Sequence, residues 1–194
     1  MLAAGASRRM GRPKQLLPVA GRPLLRHVVG RTLAAPVSPV IVVLGAHAEA
    51  IAPALAGLPV QIVLNESWAS GMGSSVRKGL QTLLAGTPEA KAVIIALADQ
   101  PDCPAGHFAR LIETQRVTGR GMVASENGGQ PIPPVLFTAE WFPRLLTLTG
   151  DAGARTLLRE QPASLALVPL AGAHDLDTPA DYERFLHDPG RPAR

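Results

Sequence analysis

Residues 2–14 carry the most specific pattern in the chain, and they read Leu2-Ala3-Ala4-Gly5-Ala6-Ser7-Arg8-Arg9-Met10-Gly11-Arg12-Pro13-Lys14. This segment combines two glycines, a hydroxyl group and four cations in what we expect to be a loop between a strand and a helix. Glycine lets backbone N–H groups approach phosphate oxygens, and arginine and lysine offset the charge of a departing pyrophosphate. The segment therefore predicts a triphosphate site.

Basic residues are concentrated around this loop, which supports an anion site. Seven of the nineteen lie in the first 31 positions, namely Arg8, Arg9, Arg12, Lys14, Arg22, Arg26 and Arg31. The loop is not an ordinary P-loop, because Gly11 is followed by Arg12 and not by Lys and then Ser or Thr. Composition alone leaves open a solvated basic loop with turn glycines.

Short apolar runs alternate with stretches of helical spacing along the rest of the chain. The runs that predict strands are Val40 to Leu44, Val60 to Leu64, Ala92 to Ala98, Met122 to Ser125 and Leu165 to Leu170. The predicted helices are Pro23 to Ala35, Ala46 to Ala56, Ser74 to Ala85, Pro104 to Val117, Ala152 to Glu160 and Pro179 to Leu186. This alternation predicts a single-domain, doubly wound, Rossmann-like α/β fold, with a mostly parallel sheet and helices on both faces. Sites in such folds lie at the carboxyl ends of the strands.

The domain limits follow from length and composition. We expect one domain over residues 1–187, followed by a polar, Pro- and Gly-rich flexible tail over residues 188–194. Only Met1 to Ala4 precede Gly5, so we expect a shortened first strand that loses buried area and leaves ladder groups unpaired.

Composition argues against several classes of protein. No apolar run approaches the roughly 20 residues that span a bilayer, so we expect no membrane partner. Basic residues are not interleaved with aromatic ones as they are in proteins that bind single-stranded nucleic acid, so we expect no nucleic-acid partner. The start lacks the pattern of a secretory signal, and the one cysteine, Cys103, cannot form an internal disulfide, which favours a reducing cytoplasm.

The opening motif resembles that of the MobA-like nucleotidyltransferases, and of the molybdenum cofactor cytidylyltransferases in particular. The resemblance continues in family order along nearly the whole chain, through Asn65-Glu-Ser-Trp-Ala-Ser-Gly-Met-Gly-Ser-Ser, Asp99-Gln-Pro, Pro134-Val-Leu-Phe, Gly150-Asp-Ala-Gly-Ala-Arg and Asp175-Leu-Asp-Thr-Pro-Ala-Asp. It implies a nucleotidyltransferase fold. It also implies that the first motif binds the triphosphate, which assigns that role to Leu2, Ala3, Ala4, Gly5, Ser7, Arg9, Gly11 and Lys14.

A metal site is predicted at Asp99, because a carboxylate directly after a buried strand needs a partner. Mg²⁺ is typically held by one or two carboxylates together with substrate phosphates and water, so Asp175 or Asp177 would supply the second carboxylate. The resemblance favours Asp177. The alternative for Asp177 is a place in the N-cap region of the helix that starts near Pro179. Arg9, Lys14 and Asp99 are the predicted catalytic residues, and Lys14, as a loop lysine, is expected to contribute little to the core.

The resemblance also places base and ribose recognition in the loop that follows the second strand. We assign Asn65, Gly71, Ser74 and Ser75 to it, although capping of the next helix by either serine is an equal alternative. Gly71-x-Gly73-x-x-Val76 matches the dinucleotide fingerprint only weakly. Arg155 is the candidate contact to the acceptor, whereas Asp151 is explained as a helix cap. The residues read as structural or surface residues are Cys103, His27, His47, His107, His174 and His187.

The implied reaction is Mg²⁺-dependent transfer of CMP from CTP to molybdenum-loaded molybdopterin, with a molybdoenzyme or its chaperone as the recipient of the product. The Leu-Ala-Ala-Gly opening favours the cytidylyl branch, because guanylyl relatives usually carry Leu-Ala-Gly-Gly. The residues Gln130 to Pro134 depart from the family pattern, which leaves the acceptor less determined than the triphosphate. Guanylyl transfer, sugar-phosphate or alditol-phosphate nucleotidyl transfer, and a noncatalytic nucleotide-binding module remain alternatives.

Overall fold

The computed structural model describes residues 1–151 and 153–187. The tail predicted over residues 188–194 lies outside the described residues. Within them, the strands are β1 (Pro18–Val19), β2 (Arg22–Pro23), β3 (Ile41–Leu44), β4 (Gln61–Leu64), β5 (Ala92–Ile95), β6 (Met122–Asn127), β7 (Gln130–Thr138) and β8 (Leu165–Pro169). The α-helices are α1 (Leu24–Leu33), α2 (Ala48–Ile51), α3 (Met72–Gly86), α4 (Ala105–Thr118), α5 (Phe142–Leu145), α6 (Arg155–Glu160) and α7 (Pro179–His187).

The central sheet is built from two hydrogen-bonded groups of strands. β3 pairs with β4 in parallel, and β5, β7, β6 and β8 lie side by side in that order. Residues 1–3 join the two groups, since Leu2 forms parallel bridges to both Val43 and Leu97. The resulting order is β4, β3, residues 1–3, β5, β7, β6, β8. β7 alone among these described strands runs antiparallel to its neighbours, so the sheet is mostly parallel.

Helices cover both faces of this sheet. One apolar cluster joins the sheet residues Val43 and Phe137 to Val76 and Leu80 of α3 and to Leu157 of α6. On the opposite face, α1 and α2 pack on β3, and α4 packs on β6, β7 and β8. The doubly wound α/β fold predicted from the sequence is therefore confirmed.

The strand of the central sheet that the sequence-based prediction missed is β7. It carries three prolines, Pro131, Pro133 and Pro134, and proline cannot donate to a strand ladder. Pro133 and Pro134 fall where the register between β6 and β7 shifts, because Ala124 pairs with Val135 and Ser125 pairs with Ile132. β7 then continues as a buried strand from Pro134 to Phe137.

The parallel strands bring their carboxyl ends to one edge of the sheet. The loops after residues 1–3, β3, β4 and β5 all leave from this edge. The glycine-rich first loop and Asp99 are therefore neighbours in space although they lie far apart in sequence. None of the described helices has the length and apolar character needed to cross a membrane.

Candidate functional site

The largest cavity described lies at this edge and has a volume of about 610 Å³. It brings together most of the residues singled out in the sequence: Leu2, Ala3, Ala4, Gly5, Ser7, Arg9, Lys14, Gly71, Ser75, Asp99, Arg155 and Asp177. Gly11, Asn65 and Ser74, also predicted to contact the nucleotide, are not among the lining residues. One cavity therefore combines the first loop, the β5 carboxyl end and the segment before α7.

The first loop is held in shape by a residue that the sequence pattern did not indicate, Gln15. Its side chain is buried, and Nε2 donates to the carbonyls of Ala3 at 2.9 Å and Gly5 at 3.0 Å. Ser7 completes this arrangement by accepting from the Lys14 N–H at 3.1 Å and donating to Gln15 Oε1 at 3.3 Å. The hydroxyl of Ser7 thus serves the loop itself, and the loop is ordered before any ligand arrives.

Gly5 and Gly11 are the two glycines of the first loop, and the reason for a glycine differs between the two positions. The φ of Gly5 is not positive, and a Cβ built there would meet no atom of the protein within 4 Å. Neither backbone strain nor packing within the protein therefore calls for glycine. Gly5 lines the cavity, so the space beside it is space for a ligand.

The charged centre of the cavity is a lysine between two aspartates. Lys14 Nζ donates to Asp99 Oδ2 at 2.5 Å and to Asp177 Oδ1 at 2.9 Å, and Arg9 forms an ion pair with Asp177 Oδ2 at 2.8 Å. The side chains of Lys14 and Asp99 are only 16% and 15% exposed. Lys14, Asp99 and Asp177 come from three separate segments of the chain. Only the fold brings them together.

Burial and charge act in opposite directions on these groups. Burial raises the pKa of Asp99 above its ordinary value, and the ammonium of Lys14 only partly offsets this. Burial alone would lower the pKa of Lys14, but the two carboxylates outweigh it and raise the pKa. At Asp177, which is more exposed, the cations Lys14 and Arg9 overcome burial and hold the pKa below its ordinary value.

The segment that carries Asp177 is fixed beside Asp99. The N–H of Leu176 donates to the Asp99 carbonyl at 3.0 Å, and Gln100 Nε2 donates to Asp175 Oδ1 at 2.9 Å. The start of α7 is capped by other residues: Asp181 Oδ2 accepts from the Thr178 N–H at 2.7 Å, and Thr178 Oγ1 accepts from the Asp181 N–H at 3.2 Å. This reciprocal pair is a capping box. Asp177 is therefore not needed as the cap, and its carboxylate faces Lys14.

The donor set fits a magnesium ion bound together with phosphates. Two carboxylates and no softer ligand face each other across the Lys14 ammonium, and Asp99 Oδ1 is buried without a hydrogen-bond partner among the described residues. No group of three or more His, Cys, Asp or Glu side chains suited to a metal occurs within residues 1–151 and 153–187. Mg²⁺ commonly takes one or two carboxylates and completes its shell with phosphate and water, so two carboxylates are sufficient.

The loop after β4 is organised around Asn65. Its Nδ2 donates to Ser74 Oγ at 2.8 Å and to Ser75 Oγ at 3.0 Å, and its Oδ1 accepts from the Ser67 N–H at 3.1 Å. Asn65 and both serines are buried. Asn65 and Ser74 therefore shape the loop, and Gly71 and Ser75 present it to the cavity.

Gly71 and Gly45 make close approaches that no other residue allows. A Cβ on Gly71, where φ is 104°, would lie 2.4 Å from the backbone carbon of Gly150. A Cβ on Gly45 would lie 2.6 Å from Trp68 Cβ and 2.8 Å from Ala4 Cβ. Gly45 was missed in the sequence, where nothing distinguishes it from a turn glycine. The two contacts tie the loop after β4 to the first loop and to residue 150.

The remaining candidates divide between the cavity and the core. Arg155, the first residue of α6, lines the cavity beside Asp151. His107 lies in the core, where Nε2 is 2.7 Å from Ser125 Oγ and burial lowers its pKa to about 4. Burial raises the pKa of the Cys103 thiol to about 12. Neither His107 nor Cys103 lines this cavity.

Comparison with known proteins identifies relatives along nearly the whole chain. A family model described as the MobA-like NTP transferase domain matches residues 1–165. Nicotine blue oxidoreductase of Paenarthrobacter nicotinovorans is 34% identical, over 96% of this chain and 94% of that protein. The purine catabolism protein PucB of Bacillus subtilis (strain 168) is 31% identical, over 94% of this chain and 92% of that protein.

A solved structure extends the comparison to the fold. The crystal structure of Rv0371c from Mycobacterium tuberculosis H37Rv is similar with a TM-score of 0.83 and 28% identity, covering 95% of this chain and 94% of that one. A second crystal structure of Rv0371c is a complex with manganese, with a TM-score of 0.79, 26% identity and 96% coverage of both chains.

Proposed function

The chain belongs to the MobA-like NTP transferase family, and we propose that it transfers CMP from CTP to the terminal phosphate of molybdenum-loaded molybdopterin, releasing pyrophosphate. The observation that carries this proposal is the cluster of Arg9, Lys14, Asp99 and Asp177 beside a glycine-rich loop in one cavity. Gly5 has free space beside it, and cations and carboxylate oxygens lie in the same cavity. This combination suits a triphosphate with its metal ion.

The reaction needs no strong base from the protein. A phosphate monoester has a second pKa of about 6, so the acceptor phosphate is largely dianionic at neutral pH and is itself the nucleophile. It forms a bond to the α-phosphorus of CTP as the bond from that phosphorus to the β-phosphate oxygen breaks. The pair of electrons leaves with pyrophosphate, whose charge Arg9 and Lys14 offset.

The metal ion would be held by Asp99 and Asp177. When bound, Mg²⁺ would supply charge neutralisation on the phosphates and orient them. Manganese in the crystal structure of the related Rv0371c supports a divalent cation in this family. The protein's own contribution is to hold the triphosphate in line with the acceptor, through Lys14, Arg9 and the backbone of residues 2–5.

The lining of the cavity suits both substrates. Gly71 and Ser75 line the cavity, and we assign them to the base and ribose of CTP. Val135 and Phe137 of β7 and Leu158 of α6 supply apolar lining, and Arg155 supplies a cation. A flat, partly apolar acceptor that ends in a phosphate fits this combination. We expect the product to pass to a molybdoenzyme or its chaperone in the cytoplasm.

The variant Gly5→Ala tests CTP binding separately from the stability of the fold. Because Gly5 lines the cavity and a Cβ at this position meets no protein atom, we expect an unchanged melting temperature and a loss of CTP affinity of about tenfold or more, equivalent to ~1.4 kcal/mol. Calorimetric titration with CTP and Mg²⁺ measures the affinity. The matched control is Gly106→Ala in α4, which also has open space but lies outside the cavity. Equal CTP affinity in both variants would contradict the proposed position of the triphosphate.

The direct test of the substrates is pyrophosphate release with CTP, GTP and ATP in turn, using Mg²⁺ and molybdenum-loaded molybdopterin. We expect release with CTP at a rate at least tenfold above the other two. A preference for GTP would assign the chain to guanylyl transfer, and release only with a sugar phosphate or alditol phosphate would replace the acceptor. Tight CTP binding with no release at any of these acceptors would favour a noncatalytic module.

A further inference from the structure

A buried chain of hydrogen bonds joins α4 to β7. His107 of α4 and Ser125 of β6 are both buried; His107 Nε2 lies 2.7 Å from Ser125 Oγ, which donates to the Pro134 carbonyl at 2.8 Å. A hydroxyl has one hydrogen to donate, so Ser125 must accept from His107, whose Nε2 then carries a hydrogen. His107 Nδ1 is buried without a partner among the described residues, which suits a nitrogen that carries no hydrogen. The order of donation is therefore His107 to Ser125 to Pro134.

This chain ends where the ladder between β6 and β7 is interrupted. The register shift leaves Pro133 and Pro134 as two extra residues on β7. Neither proline has an N–H, so neither can hold this stretch by donating to the ladder. The Ser125 hydroxyl supplies a hydrogen bond to the stretch from a side chain instead. Because bulges re-aim side chains and are common beside active sites, the support of this bulge bears on the cavity.

The bulge belongs to the lining of the cavity of about 610 Å³. Side chains alternate between the two faces of a strand, and Pro131, Pro133 and Val135 of β7 all line this cavity. Ile132 packs on the other face, in the cluster that contains Phe108 of α4. Two extra residues preserve the alternation, so the shape of the bulge sets the position of Pro131 and Pro133, which we call the proline wall.

The order of the sheet places the proline wall away from the parts assigned to the nucleotide. Residues 1–3 lie on one side of β5, and β7 lies on the other. The triphosphate is assigned to the loop after residues 1–3, and the base and ribose to Gly71 and Ser75, which follow β4 on that same side of β5. Since β7 runs antiparallel, its first residues lie at the edge where the parallel strands end. This position suits contact with the acceptor.

We propose that His107 and Ser125 are positioning residues that fix the proline wall and thereby set the affinity for the acceptor. Neither side chain lines the cavity, so both act through the Pro134 carbonyl and not by touching a substrate. The proposal rests on the proposed function, because the acceptor is the substrate assigned there. It makes acceptor binding depend on a buried hydroxyl and leaves CTP binding independent of it.

The first test compares Ser125→Ala with Thr32→Val. Thr32 is also a buried hydroxyl that donates to a backbone carbonyl, that of Val28 at 3.1 Å, but it does not line the cavity. Alanine leaves the Pro134 carbonyl without its donor, so we expect binding of molybdenum-loaded molybdopterin to weaken about tenfold, with kcat and CTP affinity within about twofold of the unmodified protein. Thr32→Val should change neither affinity. Calorimetric titration gives the affinities, and pyrophosphate release gives kcat.

The second test addresses His107 with a conservative variant. His107→Leu removes the donor to Ser125, whereas His107→Gln keeps a side-chain N–H of similar reach. We expect the leucine variant to weaken acceptor binding about fivefold and the glutamine variant to stay within about twofold of the unmodified protein. Nitrogen NMR of the unmodified protein should show the ring hydrogen of His107 on Nε2.

Equal acceptor affinity in Ser125→Ala and Thr32→Val would overturn the proposal, and so would equal losses of CTP and acceptor affinity. A ring hydrogen on Nδ1 of His107 would contradict the order of donation. If Ser125→Ala does not fold, equal acceptor affinity in His107→Leu and His107→Gln overturns the proposal instead. Acceptor binding without pyrophosphate release in the unmodified protein would count against the proposed function, while the affinities would still decide the positioning role.

Discussion

Asp99→Asn is expected to reduce pyrophosphate release by about 10²–10³-fold, the loss typical of removing one preorganised electrostatic group. The amide keeps the size of the side chain but lacks the charge that a divalent cation and Lys14 both need. Release of pyrophosphate from CTP, measured at saturating Mg²⁺, gives the rate. Circular dichroism and the melting curve show whether the variant folds.

The control for this variant is Asp102→Asn, in the same loop but outside the lining of the cavity. We expect it to retain the activity of the unmodified protein. If Asp99→Asn were folded and as active as Asp102→Asn, the metal site would not be at Asp99.

Lys14→Met is expected to destabilise the metal-free protein by about 3 kcal/mol, because removing one member of a buried ion pair leaves the other charges uncompensated. Lys14 forms ion pairs with both Asp99 and Asp177. In the variant, Asp177 still has Arg9 as its partner, whereas Asp99 is left without a cation. Urea unfolding at neutral pH measures the loss. Mn²⁺ at millimolar concentration should restore much of it, since a divalent cation would take the place of the ammonium between the carboxylates.

Lys91→Met provides the matched control, because Lys91 is exposed. We expect its free energy of unfolding to stay within about 0.5 kcal/mol of the unmodified protein, with or without Mn²⁺. Equal stability of Lys14→Met and Lys91→Met would show that the buried ion pair does not hold the cluster together. A loss at Lys14 that Mn²⁺ leaves unchanged would mean that the carboxylates do not accept a metal ion.

The sequence-based expectation that Lys14 contributes little to the core was wrong, because the structure buries this residue. A lysine in a basic, glycine-rich loop gives no sign of burial, and we expected it to contribute little to the core. The structure buries its ammonium against two carboxylates that lie 85 and 163 residues away. Such a contact depends on the convergence of three segments and has no local pattern.

Other features were predictable because their physical cause is local. Asp99 follows a run of apolar residues, and the carboxyl ends of parallel strands meet at one edge, so its place near the first loop followed from the strand pattern. Gln15 was not predictable, since its role is to bond carbonyls of Ala3 and Gly5 that only the folded loop presents together. The β7 strand was missed because its prolines oppose a strand locally, whereas pairing with β5 and β6 stabilises it.

The capping of α7 shows how the structure resolves an alternative that the sequence left open. Asp177 lies close enough to Pro179 to cap the helix, and sequence position alone cannot separate that role from metal binding. Because Thr178 and Asp181 cap each other, the carboxylate of Asp177 is available to Lys14 and Arg9. The candidate role at the metal is thus supported by contacts and not by spacing.

The most direct test of nucleotidyl transfer is to follow CTP labelled at its α-phosphate in a single turnover with Mg²⁺ and molybdenum-loaded molybdopterin. We expect the label to pass to a product in which CMP is joined to the acceptor phosphate, with one equivalent of unlabelled pyrophosphate. We expect Asp99→Asn to slow this transfer by about 10²–10³-fold. Label recovered in free CMP or CDP, or in unchanged CTP at full occupancy of the site, would contradict the proposed reaction.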